Sequence, residues 1–408
     1  MPASALATHS PWVPRADIKH PFRMATALER GGKSWRGVTL VVALFLACTG
    51  GVPSAARSTN ALCITVDPDK ELTVQDLSAI DDPIRALDPC VAAEEPLPPW
   101  SFGKMMQIAA EQAGAPDAPA FVRNWLDTWA VEQVVNGHLL EPVPIDEFVT
   151  RPWLAASGGE RLDLGRAPFR LLAIVNRIDV GEFRIEYGAT DLFCEPIQFW
   201  VIFEFELPTQ SSNDLRAIAE QWHALGVLPF GEEYNAALQS ITDQLTSGRL
   251  TNVNTVEVEA SLDEWNYRSF ALADESLVNV ALFQSPDIRD QCSPDLISWV
   301  NQNQDDILAD RHRVPLELLG GDTRNLDWTG RGFEDPIEVR HHFALATCNG
   351  CHGGETGTEF IHIDRRRRGE PTVLSDFLTG ETIVDPGGQM RTFNELARRA
   401  DFLRDLLQ

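Results

Sequence analysis

The chain has 408 residues, 44% hydrophobic and 23% charged, a globular balance long enough for two to three units and unlike a disordered, coiled-coil or multi-span membrane chain. The net charge of −26 is uneven: residues 1–47 carry six Lys/Arg against two Asp/Glu, and the remainder carries −30. Such a surface repels phosphate backbones, and no basic stripe with interleaved aromatics occurs, so nucleic acid is excluded as a partner.

Gly37 to Ala47 (GVTLVVALFLA) is an apolar run behind Arg30, Lys33 and Arg36 and just before Cys48. As a helix it reaches about 16 Å against roughly 30 Å of bilayer core, which fits a signal peptide better than a transmembrane helix. Residues 1–47 are read as that signal, with 1–23 an over-called start because Met24 stands where an ordinary signal begins. Leu44 to Ala47 before Cys48 resembles a bacterial lipoprotein box with Cys48 as the lipidated residue, although Phe45 and Leu46 depart from its usual pattern. A cut after Ala56 in Ser54-Ala55-Ala56 competes and gives a soluble protein. Both readings export the mature chain, either to the periplasm-facing cell envelope or as a secreted protein. Contact with a membrane would come only through a lipid anchor, and disulfides would persist.

Residues 48–99, rich in Pro, Asp and Glu, read as a linker or lid with one short helix. The unit 100–319 follows as an acidic α+β domain. Apolar spacing predicts helices over 101–113 and 118–136, the second carrying Phe121, Trp125, Trp129 and Val134. Strand-like runs at 169–180, 183–189 and 198–207 predict an antiparallel meander. Helices are predicted at 212–225 and 232–247, strands at 253–260 and 267–272, and a helix at 294–311. Strands blocked between helices give α+β, an antiparallel sheet with packed helices.

The unit 320–408 contains Cys348-Asn349-Gly350-Cys351-His352. CxxCH is the spacing of c-type haem attachment. Two thiols three residues apart can each add to one haem vinyl group, and the adjacent His352 then ligates the iron. Competing readings are a zinc site from Cys348, Cys351 and two of His341, His342, His352 and His362, a thioredoxin-like pair, and a plain disulfide. Zinc lacks a second CxxC. The thioredoxin reading expects a strand before the motif, whereas VRHHFALAT is helical in pattern. His341 and His342 fall about 15 Å from His352 along a continuous helix, which favours surface or propionate roles. Arg365 to Arg368 is read as a solvated turn or as a partner of haem propionates or an acidic redox protein. The sixth iron ligand is expected to be His362, with Met390 and an open or water-bound iron as the alternatives. Cys63, Cys90, Cys194 and Cys292 remain as disulfide candidates, an even number that suggests two disulfides with three possible connectivities: Cys63–Cys90 would pin the linker and Cys194–Cys292 would tie the sheet to the later helix, with buried free thiols the competing reading.

Val339 to Thr347, with Phe343, resembles the first helix of small class I cytochromes c. RHHFALATCNGCHGGETGTEFIHIDRRRRGEPTVLSDFLTG, with FRLLAIVNRIDV, WHALGVLPFG and EEYNAALQSITDQL upstream, resembles uncharacterised exported bacterial (lipo)proteins with one C-terminal CxxCH. That resemblance implies one covalent haem c on a small, mostly helical cytochrome c-like C-terminal unit. It carries no activity to transfer. The expectation is a single-electron carrier rather than a catalyst, serving a redox partner protein or a small-molecule substrate. A non-redox envelope binding or structural lipoprotein, with a zinc or disulfide clamp at the CxxCH, is the alternative.

Overall fold

The computed structural model describes residues 64–408 except 94, 210, 260–263, 288, 324–327, 331–332, 334–336 and 359–360. The signal segment, Cys48, Ala56 and Cys63 lie outside the described residues. No helix among the described residues is long and apolar enough to cross a membrane.

The strands are β1 (Thr73–Val74), β2 (Gln133–Val135), β3 (His138–Leu140), β4 (Phe169–Arg177), β5 (Glu182–Thr190), β6 (Pro196–Glu206), β7 (Leu250–Glu259), β8 (Glu264–Ala273), β9 (Ser276–Val280), β10 (Asp322–Thr323), β11 (Glu381–Val384) and β12 (Met390–Phe393). The main sheet runs β1-β4-β5-β6-β7-β8-β10 with β9 also on β8, and its pairings are antiparallel. The chain is α+β, and the predicted meander is β4, β5 and β6.

Side chains alternate along each strand, so the register sorts them onto two faces. Phe183, Ile185 and Tyr187 of β5 lie opposite Phe205, Phe203 and Val201 of β6 on one face. Helices Phe102–Gln112, Ala118–Asp127 and Ser212–Leu225 bury that face. Phe102 stacks on Phe169 at 3.9 Å, Trp222 meets Phe183 at 6.3 Å, and Trp129 meets Phe199 at 5.4 Å between ring centroids. Each such pair adds about 0.5–1.5 kcal/mol beyond its buried area. Arg177, Arg184, Glu186, Glu204, Asn254 and Tyr267 share the other face. In an open antiparallel sheet that charged face meets water. Here the C-terminal part of the chain covers it: Arg365 lies over the Trp200 ring at 5.3 Å, and His352 lies 5.8 Å from Tyr267.

Several expectations change. Residues 64–99 are not a linker: β1 pairs with β4, and Leu72, Val74 and Ile80 enter the core. The helix predicted to Asn136 ends at Asp127 with a 3-10 turn to Ala130. Asn136 and Gly137, both left-handed (φ 54° and 84°), then close the β2–β3 hairpin, an Asn-Gly turn signal that the helical reading overrode. The helix from Pro294 breaks at Asn303 and stops at Leu308.

The C-terminal part is not mostly helical, because residues 353–375 contain no described helix and β11–β12 form a hairpin. Nor does it hold its apolar residues apart. Phe377, Phe393, Leu403 and Leu407 join the core of Phe102 and Trp125. Cys90 is bonded to Cys194, which rules out the Cys63–Cys90 and Cys194–Cys292 arrangement among the three open connectivities. The cause is the packing of residues 64–99 along β4, which brings Cys90 to the β5–β6 turn.

Candidate functional site

The motif is fixed from its backbone outward. Helix Ile337–Leu345 ends just before Thr347, which caps the short helix Cys348–Cys351 by accepting from Gly350 N at 3.1 Å. Thr347 Oγ1 also donates to Ala344 O at 2.7 Å and accepts from the buried Trp328 Nε1 at 3.0 Å. Ser285 Oγ accepts from Cys348 N at 2.8 Å. A Cβ on Gly350 would stand 2.0 Å from Ala344 O, so only glycine lets the two helices meet at this angle.

Both thiols are half-buried against the charged sheet face. Burial pushes Cys348 up to about 11 and Cys351 up to about 12. Cys351 Sγ lies 3.5 Å from His362 Nε2, and His362 Nδ1 lies 3.0 Å from Ser375 Oγ. Ser375 N donates to His362 O at 2.9 Å, and Ile363 bridges Leu374, so the His362 and Ser375 segments are paired through their backbones. The His362 ring packs 4.8 Å from Phe377 and 4.3 Å from His352 between centroids. Burial, then the neighbouring His352, holds His362 well below the usual histidine range, leaving a neutral imidazole. Met390 is 75% exposed at the start of β12.

The charged face opposite the motif is a mixed ion layer. Arg184 bridges Glu182 at 2.8 Å and Glu204 at 2.7 Å. Arg177 pairs with Asp179 at 3.0 Å, and Arg399 pairs with Glu395 at 3.1 Å. Glu186 has no hydrogen-bond partner among the described residues, and burial pushes it up to about 7. Burial and the like-charged Arg177 lower Arg399 to about 10.

A second network orients the loop after the motif. His341 Nδ1 and Arg340 both bind the buried Glu355, and Arg340 Nη2 reaches Asp385 at 3.1 Å. Arg391 Nε joins Asp385 at 2.9 Å, and Arg391 pairs with Glu338. His341 is therefore buried in a clamp rather than at the surface, because the helix ends before Thr347 and the chain folds back to place Glu355 beside it. His342 pairs with Asp310 at 2.9 Å. The Arg365 to Arg368 run is a solvated turn only in part: Arg367 and Arg368 are exposed, Arg365 lies over the Trp200 ring, and Arg366 is buried. Arg366 donates to Leu171 O, Ile80 O and Asp81, while Arg367 pairs with Glu195 and Arg368 with Asp88. The sequence reading missed Arg177, Arg184, Glu186, Ser375 and Arg399. Alternation of charge along β5 was the one signal for part of this set.

The separation of 3.5 Å between Cys351 and His362 suits two donors on one tetrahedral ion. Among the described residues, however, the one set of three His, Cys, Asp or Glu side chains with donor atoms within 4.8 Å of each other is His341, Glu355 and Asp385. Two guanidiniums already neutralise that set. The motif itself does not close into a compact metal cage. No family model matches the chain, and no curated protein or solved structure matches it.

Proposed function

We propose that the chain is an exported mono-haem c-type cytochrome-like protein that carries single electrons in the cell envelope. Thioether bonds at Cys348 and Cys351 would hold the haem, and His352 would ligate its iron. The observation that carries this reading is the CxxCH displayed on one capped short helix against a covered charged face, with His352 beside Tyr267. The haem would supply reversible one-electron iron chemistry. The chain's own groups do the rest. Thr347, Trp328 and Ser285 fix the helix, and the aromatic neighbours and the covered sheet limit water at the site.

His362 would be the better placed of the two candidates for a second iron ligand, since it is neutral, beside the motif and oriented by Ser375. The rings of His352 and His362 are centred 4.3 Å apart. The Cys90–Cys194 disulfide supports an oxidising compartment. A signal over residues 1–47 and a lipid at Cys48 belong to the same proposal.

The test is a reduced-minus-oxidised visible spectrum of protein made in a haem-maturation-competent host, followed by acid-acetone extraction. Sharp α and Soret bands with retained haem are expected, and both are lost in the double variant Cys348→Ala, Cys351→Ala. Haem released completely on extraction, or no haem at all, overturns the reading. With haem attached, Met390→Ala should leave the far-red ferric spectrum unchanged.

A further inference from the structure

We propose that the Cys90–Cys194 disulfide is a thiol–disulfide exchange site that a dithiol reduces in the folded chain, with Arg170 as the cation that receives the Cys90 thiolate. The bond ties the segment 64–99 to the β5–β6 turn. Cys90 is exposed and Cys194 half-buried, and the turn that carries Cys194 stands out into solvent, with Phe193 84% exposed. Exposed disulfides are the ones that thiols can reach and exchange.

Arg170 lies in β4 opposite Gly188 of β5, and its Nη2 donates to Cys90 Sγ at 3.7 Å. The side chain is 3% exposed, and Nε and Nη1 have no hydrogen-bond partner among the described residues. The carboxylates nearby are engaged elsewhere. Asp81, Glu195 and Asp88 pair with Arg366, Arg367 and Arg368 at 2.6–2.8 Å. The Asp191 carboxylate accepts from the Phe193 and Glu195 amides. Asp88 comes no nearer to Arg170 than 3.8 Å. Arg170 is thus a buried cation whose one side-chain hydrogen bond goes to a disulfide sulfur, a weak acceptor. Burial, ahead of any neighbouring charge, lowers its pKa from the usual arginine value. A thiolate on Cys90 would offset that cost with a charge-assisted bond.

The exchange follows from this placement. One thiolate of the dithiol attacks Cys194 Sγ, a bond forms between them, and the Cys90–Cys194 bond breaks with its electron pair left on Cys90 beside Arg170. The second thiol gives its proton to water and attacks the dithiol's own sulfur in the mixed disulfide. That closes the dithiol into a disulfide and releases Cys194, which takes a proton from water. Two electrons pass from the dithiol to the cysteine pair, and stabilising the leaving thiolate speeds the first step. Haem takes no part, so failure here is separate from failure of the preceding reading.

The test treats the full chain with dithiothreitol at pH 7, quenches in acid, alkylates, and follows each cysteine by peptide mass spectrometry, which separates Cys90 and Cys194 from Cys292, Cys348 and Cys351. The rate of reduction should rise in proportion to dithiothreitol and fall about threefold or more in Arg170→Gln, with Arg170→Lys between. Glutathione, a monothiol, should leave its adduct on Cys194. After reduction, the iodoacetamide rate at Cys90 should be half-maximal at a pH lower by about one unit or more in the folded chain than in urea. A merely structural arginine would not move that profile, and the measurement needs no variant, which guards against Arg170→Gln failing to fold. Reduction only as fast as unfolding, an adduct on Cys90, or one alkylation profile in both states overturns the proposal.

Discussion

Cys351 and His362, eleven positions apart in the chain, meet with Sγ 3.5 Å from Nε2. Neither is charged at neutral pH, because burial raises the thiol to about 12 and lowers the imidazole. The motif therefore does not behave as an activated thiol pair, whose pKa values are lowered. In the haem-free chain, alkylation of Cys348 and Cys351 by iodoacetamide at pH 8, followed by mass spectrometry, should be about a hundredfold or more slower than in urea. Equal rates would mean that the sheet does not enclose the thiols.

Gly350→Ala is expected to destabilise the fold by about 1–3 kcal/mol, since the new methyl group must displace the Ala344 carbonyl. Asn349→Ala removes one acceptor of the Trp328 Nε1 bond at 3.2 Å and leaves the Thr347 bond in place, so its cost should be smaller. Urea denaturation of the two variants gives the comparison.

The basic run separates into one structural residue and surface charges. Arg366→Ala strands two buried carbonyls, Leu171 O and Ile80 O, and removes the partner of half-buried Asp81, and should cost about 3 kcal/mol. Arg367→Ala removes an exposed pair with Glu195 and should cost about 1 kcal/mol at most. Similar losses for both would contradict the clamp.

Two buried groups make stability depend on pH in opposite directions. His312 is 4% exposed between Trp299 and Phe343, and neither ring nitrogen has a partner among the described residues. Burial lowers it from 6.5 to about 4, so the stability it permits is complete above 6.5 and lost as pH falls towards 4. Glu186 is raised from 4.5 to about 7, so its contribution is complete below 4.5 and lost as pH rises through 7. Each reaches at most about 3 kcal/mol. The stability difference between His312→Phe and wild type should thus grow in favour of the variant from pH 6.5 down to 4, and that of Glu186→Gln from pH 4.5 up to 7. Flat differences in chemical denaturation would reject the assignments.

Local pattern in the sequence determined the CxxCH motif, the α+β class, the β4–β6 meander and the helices at Ser212–Leu225 and Glu232–Thr246. Those features depend on short-range periodicity and spacing, which survive without knowledge of the partners. The alternation Glu182, Phe183, Arg184, Ile185, Glu186, Tyr187 likewise fixed which residues share a face. Only the tertiary structure decided that the charged face is covered by the C-terminal part of the chain, because an alternating strand reads the same whether water or protein lies above it. That choice sets Tyr267 of this face beside His352, buries Arg366 and joins Phe377 and Leu403 to the core of Phe102. It also explains the one disulfide seen among the described residues, since Cys90 and Cys194 are 104 positions apart and their Cα atoms come within 5.9 Å only once residues 64–99 pack along β4.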